Sequence, residues 1–536
     1  MPTLMKAACE FDFDAEVRRT LQGDLLSLNA CVECCDRHDQ DKIALFCENE
    51  SGESAQYTFG QLRIFSEKFA CALRERGIQP GQCVGGLLPR RLELLITILG
   101  TWRVGAVFQP LFTAFGPKSI EHRVTTANTQ IVVTNAANRS KLNGITGCSI
   151  VTVGPGGEMS DGDFWAELNS APEGFLPEIL TGDDPLMMMF TSGTTGLAKP
   201  LRVPIKALAA FASYQRDAVG LRPDDKFWCI ADPGWAYGLY FGIAGPLALG
   251  HAITFVDGKF TAQSCCDVII KHGITNLIGA PTAYRILMAA PPEITSALKG
   301  RLRAVSSAGE PLNPKAVRWF DEHLSAPIYD HYGQTEVGMV LCNHHGLEHP
   351  VRIGSAGFPS PGYRLLVLNE DHVELPAGIP GMLAIDRRAS PLLWFSGYMG
   401  IETSSFVGDY YLTGDTVAMN ADGSITFVAR ADDVITSSGY RIGPFDVESA
   451  LIEHPAVADV AVVGKPDSER TEIVKAFVVL RGGHERSDAL VKDLQRHVRE
   501  RLSKHAYPRE VEFLDVLPRT PSGKIQRFAL RNGAQK

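Results

Sequence analysis

The stretch "MMMFTSGTTGLAKP", residues 187–200, changes abruptly from large apolar residues to glycines, hydroxyls and a lysine. Residues 187–190 are typical of the end of a buried β-strand. The loop that follows can fold its backbone closely around a phosphate, because glycine has no Cβ and the N–H and hydroxyl groups are hydrogen-bond donors. The stretch therefore predicts a phosphate-binding loop after a buried strand, with an ordinary Ser/Thr/Gly turn as the alternative.

The spacing within this loop excludes the Walker-type phosphate loop, which requires G-x-x-x-x-G-K-[ST]. Here Gly193 and Gly196 are separated by two residues, Lys199 follows after two more, and Pro200 stands where a magnesium-binding hydroxyl is needed. A nucleotide remains the favoured ligand, but the loop must belong to a nucleotide-binding family other than the Walker-type NTPases.

Length and composition are those of a large globular protein. A chain of 536 residues is too long for one hydrophobic core, and 45% hydrophobic with 21% charged residues is an ordinary composition. A net charge of −9 gives no general attraction for nucleic acid. Residues 1–17 are too acidic for a signal peptide, so we expect a cytoplasmic protein. Residues 233–256 are apolar but are broken by prolines and glycines, which favours a buried segment over a membrane span.

Alternating helical and strand patterns predict an α/β protein. In residues 57–77, for example, Thr58 can cap a helix, Leu62 and Phe69 share its apolar face, and Gly77 can end it. Near residue 430 a glycine- and charge-rich stretch predicts a domain junction, after which strands and one long helix alternate. We therefore predict a large α/β N-terminal body with several subdomains at residues 1–431. A hinge joins it to a small α+β C-terminal domain at residues 432–536.

Five stretches, the first of them within residues 187–200, resemble in this order the signatures of the adenylate-forming superfamily, which includes acyl-CoA synthetases, peptide-synthetase adenylation domains and luciferases. They are "TSGTTGLAKP" (191–200), "YGQTE" (332–336), "YLTGD" (411–415), "ARADDVITSSGYRIGPFDVE" (429–448) and "PRTPSGKIQR" (518–527). Together with "ADPGWAYG" (231–238) they are most similar to short- and medium-chain acyl-CoA synthetases. The resemblance implies ATP, Mg²⁺ and coenzyme A as cofactors and a small carboxylic acid as substrate.

The resemblance also implies roles in adenylation. Lys524 would bridge the carboxylate and the α-phosphate, Thr335 would contact that phosphate, and Glu336 would help to hold Mg²⁺. The remaining residues implied to bind ATP or AMP are Thr191, Ser192, Gly193, Thr194, Thr195, Gly196 and Lys199 in the loop, Gly309, Glu310, Pro311 and Tyr332 around adenine, Asp415 and Arg430 at the ribose, and Arg441 at the phosphate. For any one of these residues taken alone, an ordinary structural role, such as a core tyrosine, an exposed carboxylate or a surface ion pair, would be favoured.

Thioester formation is implied at a second set of residues. Asp432 would be the hinge, and Ser438, Gly439 and Tyr440 would line the tunnel for coenzyme A. Trp235, Ala236 and Gly333 would line the acyl pocket. In acetate-specific members of the superfamily a tryptophan stands at the position of Gly333, so its absence predicts an acid of roughly four to eight carbons.

The hypothesis is therefore an AMP-forming synthetase for a short- to medium-chain or branched acid. A ligase for aromatic acids and a catalytically silent nucleotide-binding protein remain alternatives. The sequence leaves the oligomeric state open between monomer and homodimer.

Overall fold

The computed structural model describes residues 1–191, 198–430, 433–437, 440–467, 470–502, 505–520 and 524–534. Within these ranges the strands form five sheets. Sheets built from residues up to 430 make up a large body, and the sheet that begins at Ile435 belongs to a small C-terminal unit. The predicted α/β body with a smaller second domain is therefore confirmed. The exact boundary at residue 432 stays a prediction, since Asp432 lies outside the described residues.

The first large sheet contains both ends of the stretch 187–200. Its strands are parallel except for the last pair, and in spatial order they are Gly162–Asp163, Ser149–Val153, Thr129–Asn135, Cys83–Leu87, Val107–Pro110, Pro185–Thr191 and Lys199–Pro204. Residues 187–190 are buried in the strand Pro185–Thr191, as the apolar run predicts. That strand pairs with Lys199–Pro204 in antiparallel register, which brings Thr191 opposite Lys199 across the base of the loop.

The helix Phe59–Glu75 shows why these elements form where they do. The Thr58 hydroxyl accepts from the Gln61 N–H while the Gln61 side chain accepts from the Thr58 N–H, a complete capping box. Leu62 and Phe69 on its apolar face are buried, and Gly77 follows the helix with φ +85°. The predicted cap, face and stop are all confirmed.

The second large sheet carries the "YGQTE" stretch. Its strands, in spatial order, are Phe227–Cys229, Asn276–Gly279, Ala304–Ala308, Ile328–Gln334, Gly338–Cys342 and Phe358–Pro359. A single buried cluster joins Phe108 of the first sheet to Ile278 and Leu341 of the second. The helix Ala207–Asp217 contributes to this cluster and is buried on nearly all sides, which explains why residues 207–212 are all apolar.

Residues 233–256 lie inside this core. They form Ala236–Leu239, a π-helical turn at Tyr240–Ala244, Gly245–Ala248 and the strand Ile253–Val256. The prediction of a buried core segment is confirmed. In the part of the chain that the structure describes, none of the helices has the length and apolar character needed to cross a membrane.

Two smaller sheets complete the body. One consists of Ile253–Val256, Ile43–Glu48 and Ser54–Thr58, and the other of Leu365–Leu368, Gly381–Asp386, Tyr410–Met419, Phe406–Val407 and Ile425–Arg430. The remaining helices of the body are Leu4–Cys9, Phe13–Thr20, Leu92–Arg103, Pro117–Thr126, Ala136–Arg139, Phe164–Ser170, Ala262–His272, Pro281–Ala289, Pro292–Thr295 and Pro314–Trp319. Single turns of other helix types occur at Val32–Asp36, Ser140–Leu142, Ser296–Leu298 and Phe320–Leu324.

The C-terminal unit has its own core. Its strands are Tyr440–Ile442, Ile435–Ser437, Thr471–Leu480, Val457–Asp467 and Glu510–Phe513, and its helices are Pro444–Ile452, Asp488–Arg501 and Arg527–Ala534. The buried cluster of this unit includes Val447, Val462, Val474, Leu494 and Val498 and is separate from that of the body. A separate core is what an independently moving domain requires.

The contacts between the two units include a small polar one. Lys315 Nζ donates to the carbonyl oxygen of Ile452 at 3.1 Å, and Arg318 donates to Glu453 Oε1 at 2.9 Å. Lys315 and Arg318 lie on the helix Pro314–Trp319 of the body, whereas Ile452 and Glu453 end the first helix of the C-terminal unit. We call these four residues the interdomain clamp.

Gly333 requires a correction. The sequence predicts open space where its side chain is missing, but a Cβ on Gly333 would lie 2.0 Å from the Gly338 carbonyl oxygen and 2.8 Å from Met339 Cα. The strands Ile328–Gln334 and Gly338–Cys342 approach each other this closely at a register shift between Tyr332 and Gly333. Glycine is therefore required here by backbone packing, a constraint invisible in the sequence.

We expect Gly333→Ala to lower the free energy of unfolding by about 1–3 kcal/mol, because the added methyl group overpacks two backbones. Chemical denaturation measures the change. Gly482→Ala is the matched control, since a Cβ there meets nothing within 4 Å. Equal stability of the two variants would contradict the close approach.

Candidate active site

A buried carboxylate lies at the centre of the predicted nucleotide site. Asp415 is 5% exposed, and its Oδ2 accepts from the Tyr332 hydroxyl at 2.5 Å and from Gln334 Nε2 at 2.9 Å. Arg430 pairs with Asp415 across neighbouring strands, and its Nε lies 4.0 Å from Oδ1. Burial raises the pKa of Asp415, while the Tyr332 hydroxyl and the Arg430 guanidinium oppose that rise. The structure thus brings Tyr332, Asp415 and Arg430 together.

Glu336 forms a second polar centre beside the first. It is 7% exposed, and Oε1 accepts a hydrogen bond from the Tyr398 hydroxyl at 2.7 Å. The neighbouring Thr335 is half-buried, and its carbonyl oxygen accepts from the Tyr240 hydroxyl at 3.1 Å. The turn between the strands Ile328–Gln334 and Gly338–Cys342 therefore presents both residues in a fixed backbone position.

The phosphate loop is described only at its two ends. Thr191 and Lys199 face each other across the strand pair, and Lys199 Nζ lies 5.0 Å from the centre of the Tyr398 ring. The predicted residues Ser192, Gly193, Thr194, Thr195 and Gly196 lie outside the described residues. Lys199, at the end of the loop, therefore lies next to Tyr398, whose hydroxyl donates to Glu336.

The "GEP" stretch follows the buried strand Ala304–Ala308. Gly309 has φ +96°, which turns the chain out of the sheet, and Glu310 pairs with Arg285 at 3.2 Å. Pro311 is half-buried next to them. Asp330, which the sequence analysis missed, accepts from the Leu312 N–H at 3.1 Å, and burial raises its pKa to about 8.

Lys524 comes from the C-terminal unit. The Thr520 N–H donates to the Lys524 carbonyl oxygen at 2.7 Å, and the Lys524 N–H donates to the Thr520 hydroxyl at 3.1 Å, which closes the loop beneath the side chain. The side chain is accessible to solvent, yet the protein around it lowers the pKa of Lys524 by desolvation. The carboxylates of Glu310 and Asp415 oppose this shift. A lysine from the second domain thus lies within the electrostatic field of the nucleotide site.

Two aromatic residues support Trp235. Its ring centre lies 5.6 Å from that of Phe112 and 5.2 Å from that of Phe115, and its Nε1 is buried with no hydrogen-bond partner among the described residues. Ala236 is half-buried and begins the short helix after Trp235. Trp235 and Ala236 therefore form an apolar wall, in which the buried Trp235 Nε1 has no hydrogen-bond partner among the described residues.

The residues implied to bind coenzyme A are only partly described. Asp432, Ser438 and Gly439 lie outside the described residues, and the structure describes only the backbone of Tyr440 and Arg441, in the strand Tyr440–Ile442. Their roles stay predictions. A separate surface cavity of about 410 Å³, lined by Arg76, Gln82 and Gln130 among others, contains none of the predicted site residues.

Sequence analysis missed several residues of the site. Gln334 connects Asp415 to Tyr411, whose hydroxyl donates to Gln334 Oε1 at 3.0 Å. Gln334 lies within the "YGQTE" stretch and Tyr411 within "YLTGD", so the motifs of the family resemblance could have identified both residues. Tyr398, in "SGYMG" (396–400), had no such signal.

The donors present suit Mg²⁺ bound together with a nucleotide. Magnesium prefers oxygen ligands and usually binds one or two carboxylates plus substrate phosphates rather than a cage of protein ligands. Glu336 supplies one buried carboxylate beside the phosphate loop. Among the described residues no group of three or more His, Cys, Asp or Glu side chains is arranged to hold a metal alone.

Comparison with known proteins agrees with this geometry. Two family models match, "AMP-binding enzyme" over residues 32–399 and "AMP-binding enzyme C-terminal domain" over residues 446–524. An acetyl-coenzyme A synthetase of Bacillus subtilis (strain 168) is 34% identical over 519 residues, which cover 94% of this chain and 90% of that protein.

Solved structures extend the likeness to the whole chain. The Brucella canis acyl-CoA synthetase is 54% identical with a TM-score of 0.82 and covers 100% of this chain and 99% of its own. The anthranilate CoA ligase AuaEII, solved with anthranoyl-AMP, is 26% identical with a TM-score of 0.86 over 95% of this chain and 98% of its own. The chain therefore belongs to the AMP-binding enzyme family, and within it to the acyl-CoA synthetases.

Proposed function

We propose that this enzyme activates a short- to medium-chain or branched carboxylic acid with ATP and transfers it to coenzyme A. The carboxylate attacks the α-phosphorus of ATP and expels pyrophosphate, and the thiol of coenzyme A then displaces AMP from the acyl-adenylate. The observation that carries this proposal is the arrangement of Tyr332, Gln334 and Arg430 around the buried carboxylate of Asp415. Lys524 of the C-terminal unit is close enough for this carboxylate to influence its pKa.

Adenylation brings a carboxylate up to a polyphosphate, so positive charge is needed where the two anions meet. Lys524 supplies an ammonium group there, and Lys199 supplies a second at the end of the phosphate loop. Asp415, already oriented by Tyr332 and Gln334, has the acceptor oxygens to bind ribose hydroxyls. Mg²⁺ held by Glu336 would neutralise phosphate charge when bound.

Thioester formation requires that Lys524 leave the carbonyl carbon that coenzyme A attacks. The interdomain clamp is compatible with a reversible movement of this kind, because it consists of two polar contacts, one part-buried and one exposed, rather than of apolar packing. Arg318 is about half exposed in its pair with Glu453. Such a pair stabilises one arrangement without locking it.

The acid class is proposed from the apolar wall at Trp235 and the small side chain of Ala236. This wall suits an aliphatic chain, but its aromatic rings also suit an aryl acid, and the related anthranilate ligase makes that the second candidate. We also propose a cytoplasmic location. The oligomeric state stays open between monomer and homodimer.

A panel of linear, branched and aromatic acids, assayed by CoA-dependent AMP release, tests the substrate class. Two additional buried CH₂ groups contribute about 1.6 kcal/mol, so we expect acids of roughly four to eight carbons to exceed acetate in kcat/KM about tenfold or more. Highest activity with benzoate-type acids would favour the aryl alternative. Nucleotide binding without AMP release for every acid would indicate the silent protein.

Lys524→Ala should abolish adenylation and spare the second half-reaction. Loss of one charge that stabilises a transition state costs about 10²–10³ in rate. Acid-dependent pyrophosphate release measures the first step, and synthetic acyl-AMP with coenzyme A measures the second. Equal loss of both steps in a folded variant would contradict the assigned role.

The interdomain clamp predicts a change in the balance between the two steps. An exposed ion pair contributes about 0.2–1 kcal/mol, so Arg318→Ala should raise the ratio of thioester formation to adenylation by about 1.4- to 5-fold. The ratio reports the domain equilibrium because each step uses one arrangement. Arg352→Ala is the control, since Arg352 forms a similarly exposed pair with Asp422 inside the body. An unchanged ratio in Arg318→Ala and Glu453→Ala would contradict a role for the clamp.

A further inference from the structure

The segment Ser396–Gly400, "SGYMG", belongs to none of the stretches that define the family resemblance. It nevertheless lies against the exit of the phosphate loop. The Met399 N–H donates to the Pro200 carbonyl oxygen at 2.9 Å, and the Met399 side chain packs on a cluster that includes Met188 and Phe190. This backbone bond and apolar contact fix the segment to both strands that flank the loop.

Tyr398 projects from this segment between three predicted site residues. Its hydroxyl donates to Glu336 Oε1 at 2.7 Å, and its ring lies beneath Lys199, whose Nζ is 5.0 Å from the ring centre. The Thr191 side chain also lies near the Tyr398 hydroxyl. Tyr398 therefore lies beside both ends of the phosphate loop and donates to the carboxylate suited to Mg²⁺.

The direction of these contacts defines what Tyr398 does. The Tyr398 hydroxyl is a phenol and the Glu336 carboxylate can only accept, so their 2.7 Å contact is a hydrogen bond that Tyr398 donates to Oε1. A hydrogen bond to one oxygen of a buried carboxylate fixes the rotamer and the direction of the other oxygen. The face of the ring attracts the Lys199 ammonium electrostatically.

We propose that Tyr398 is a positioning residue that holds the Glu336 carboxylate and Lys199 in the geometry that receives the metal and phosphates of Mg·ATP. This inference rests on the proposed function for the identity of the ligand. Tyr398 is not among the residues proposed to bind the acid or coenzyme A. Its effect should therefore appear in binding of the metal–nucleotide complex and be absent from the thioester step.

Isothermal titration calorimetry with α,β-methylene-ATP, with and without Mg²⁺, tests the proposal without turnover. Outer partners of metal ligands typically contribute 10- to 100-fold to metal affinity, so Tyr398→Phe should weaken Mg²⁺-dependent binding by about tenfold or more. Binding without Mg²⁺ should change little, since the Phe ring still lies beneath Lys199. Tyr398→Leu, which also removes the ring, should weaken binding in both conditions.

Controls separate positioning from a general loss of structure. Tyr363→Phe removes another partly buried hydroxyl, which donates to the backbone carbonyl oxygens of Leu392 at 3.2 Å and Val337 at 3.5 Å rather than to a side chain of the site, and should leave nucleotide binding unchanged. In a double-mutant cycle, Glu336→Gln and Tyr398→Phe should be non-additive because both act through one hydrogen bond. The step from synthetic acyl-AMP and coenzyme A should proceed at the wild-type rate in Tyr398→Phe.

Three results would overturn the proposal. They are a wild-type Mg²⁺-dependent affinity in Tyr398→Phe, additive effects of Tyr398→Phe and Glu336→Gln on that affinity, or an equal loss of that affinity in Tyr363→Phe. Failure of the proposed function is distinguishable from all three. In that case the wild-type protein would bind Mg²⁺ with the ATP analogue, and Tyr398→Phe would weaken that binding, yet no acid would support AMP release.

Discussion

The site depends on satisfying one buried carboxylate. A charged group removed from water is tolerated only when other groups hydrogen-bond or pair with it, and Asp415 meets this condition through three groups from two sheets. Tyr332 and Gln334 come from the strand Ile328–Gln334, and Arg430 comes from the strand beside Asp415. The same contacts that neutralise Asp415 therefore fix the second large sheet to the strand that leads into the C-terminal unit.

Electrostatics divide the site between the two units. The body contributes the carboxylates Glu310, Glu336 and Asp415, and the C-terminal unit contributes the ammonium of Lys524. Desolvation disfavours the charged lysine in this position, and the carboxylates offset part of that penalty. Because opposite charges come from separately folded cores, the balance of charge at the reacting atoms depends on how the two units are arranged. We propose that this arrangement can change, because the ion pair of Arg318 with Glu453 in the clamp is a weak one.

Loops carry most of the chemistry, and the sheets hold those loops in place. The phosphate loop, the turn at Thr335 and the loop of Lys524 each begin or end at a strand or strand-like bridge. The segment Ser396–Gly400 has no regular structure of its own beyond one isolated bridge, yet it is fixed by Pro200 and by Glu336. We propose that a loop positioned in this way orients the Glu336 carboxylate that is suited to Mg²⁺.

The sequence by itself determined the local elements and the family. The capping box at Thr58, the buried strand Pro185–Thr191 and the long C-terminal helix after Ser487 follow from short-range rules of propensity, capping and periodicity. The adjacency of Tyr332 and Asp415 was implied only by resemblance. Tertiary structure alone decided the contact of Tyr398 with Glu336, the clamp between Arg318 and Glu453, and the close backbone approach at Gly333. These join residues distant in the chain, or depend on the exact register of paired strands, and hydrophobic periodicity carries no information about either.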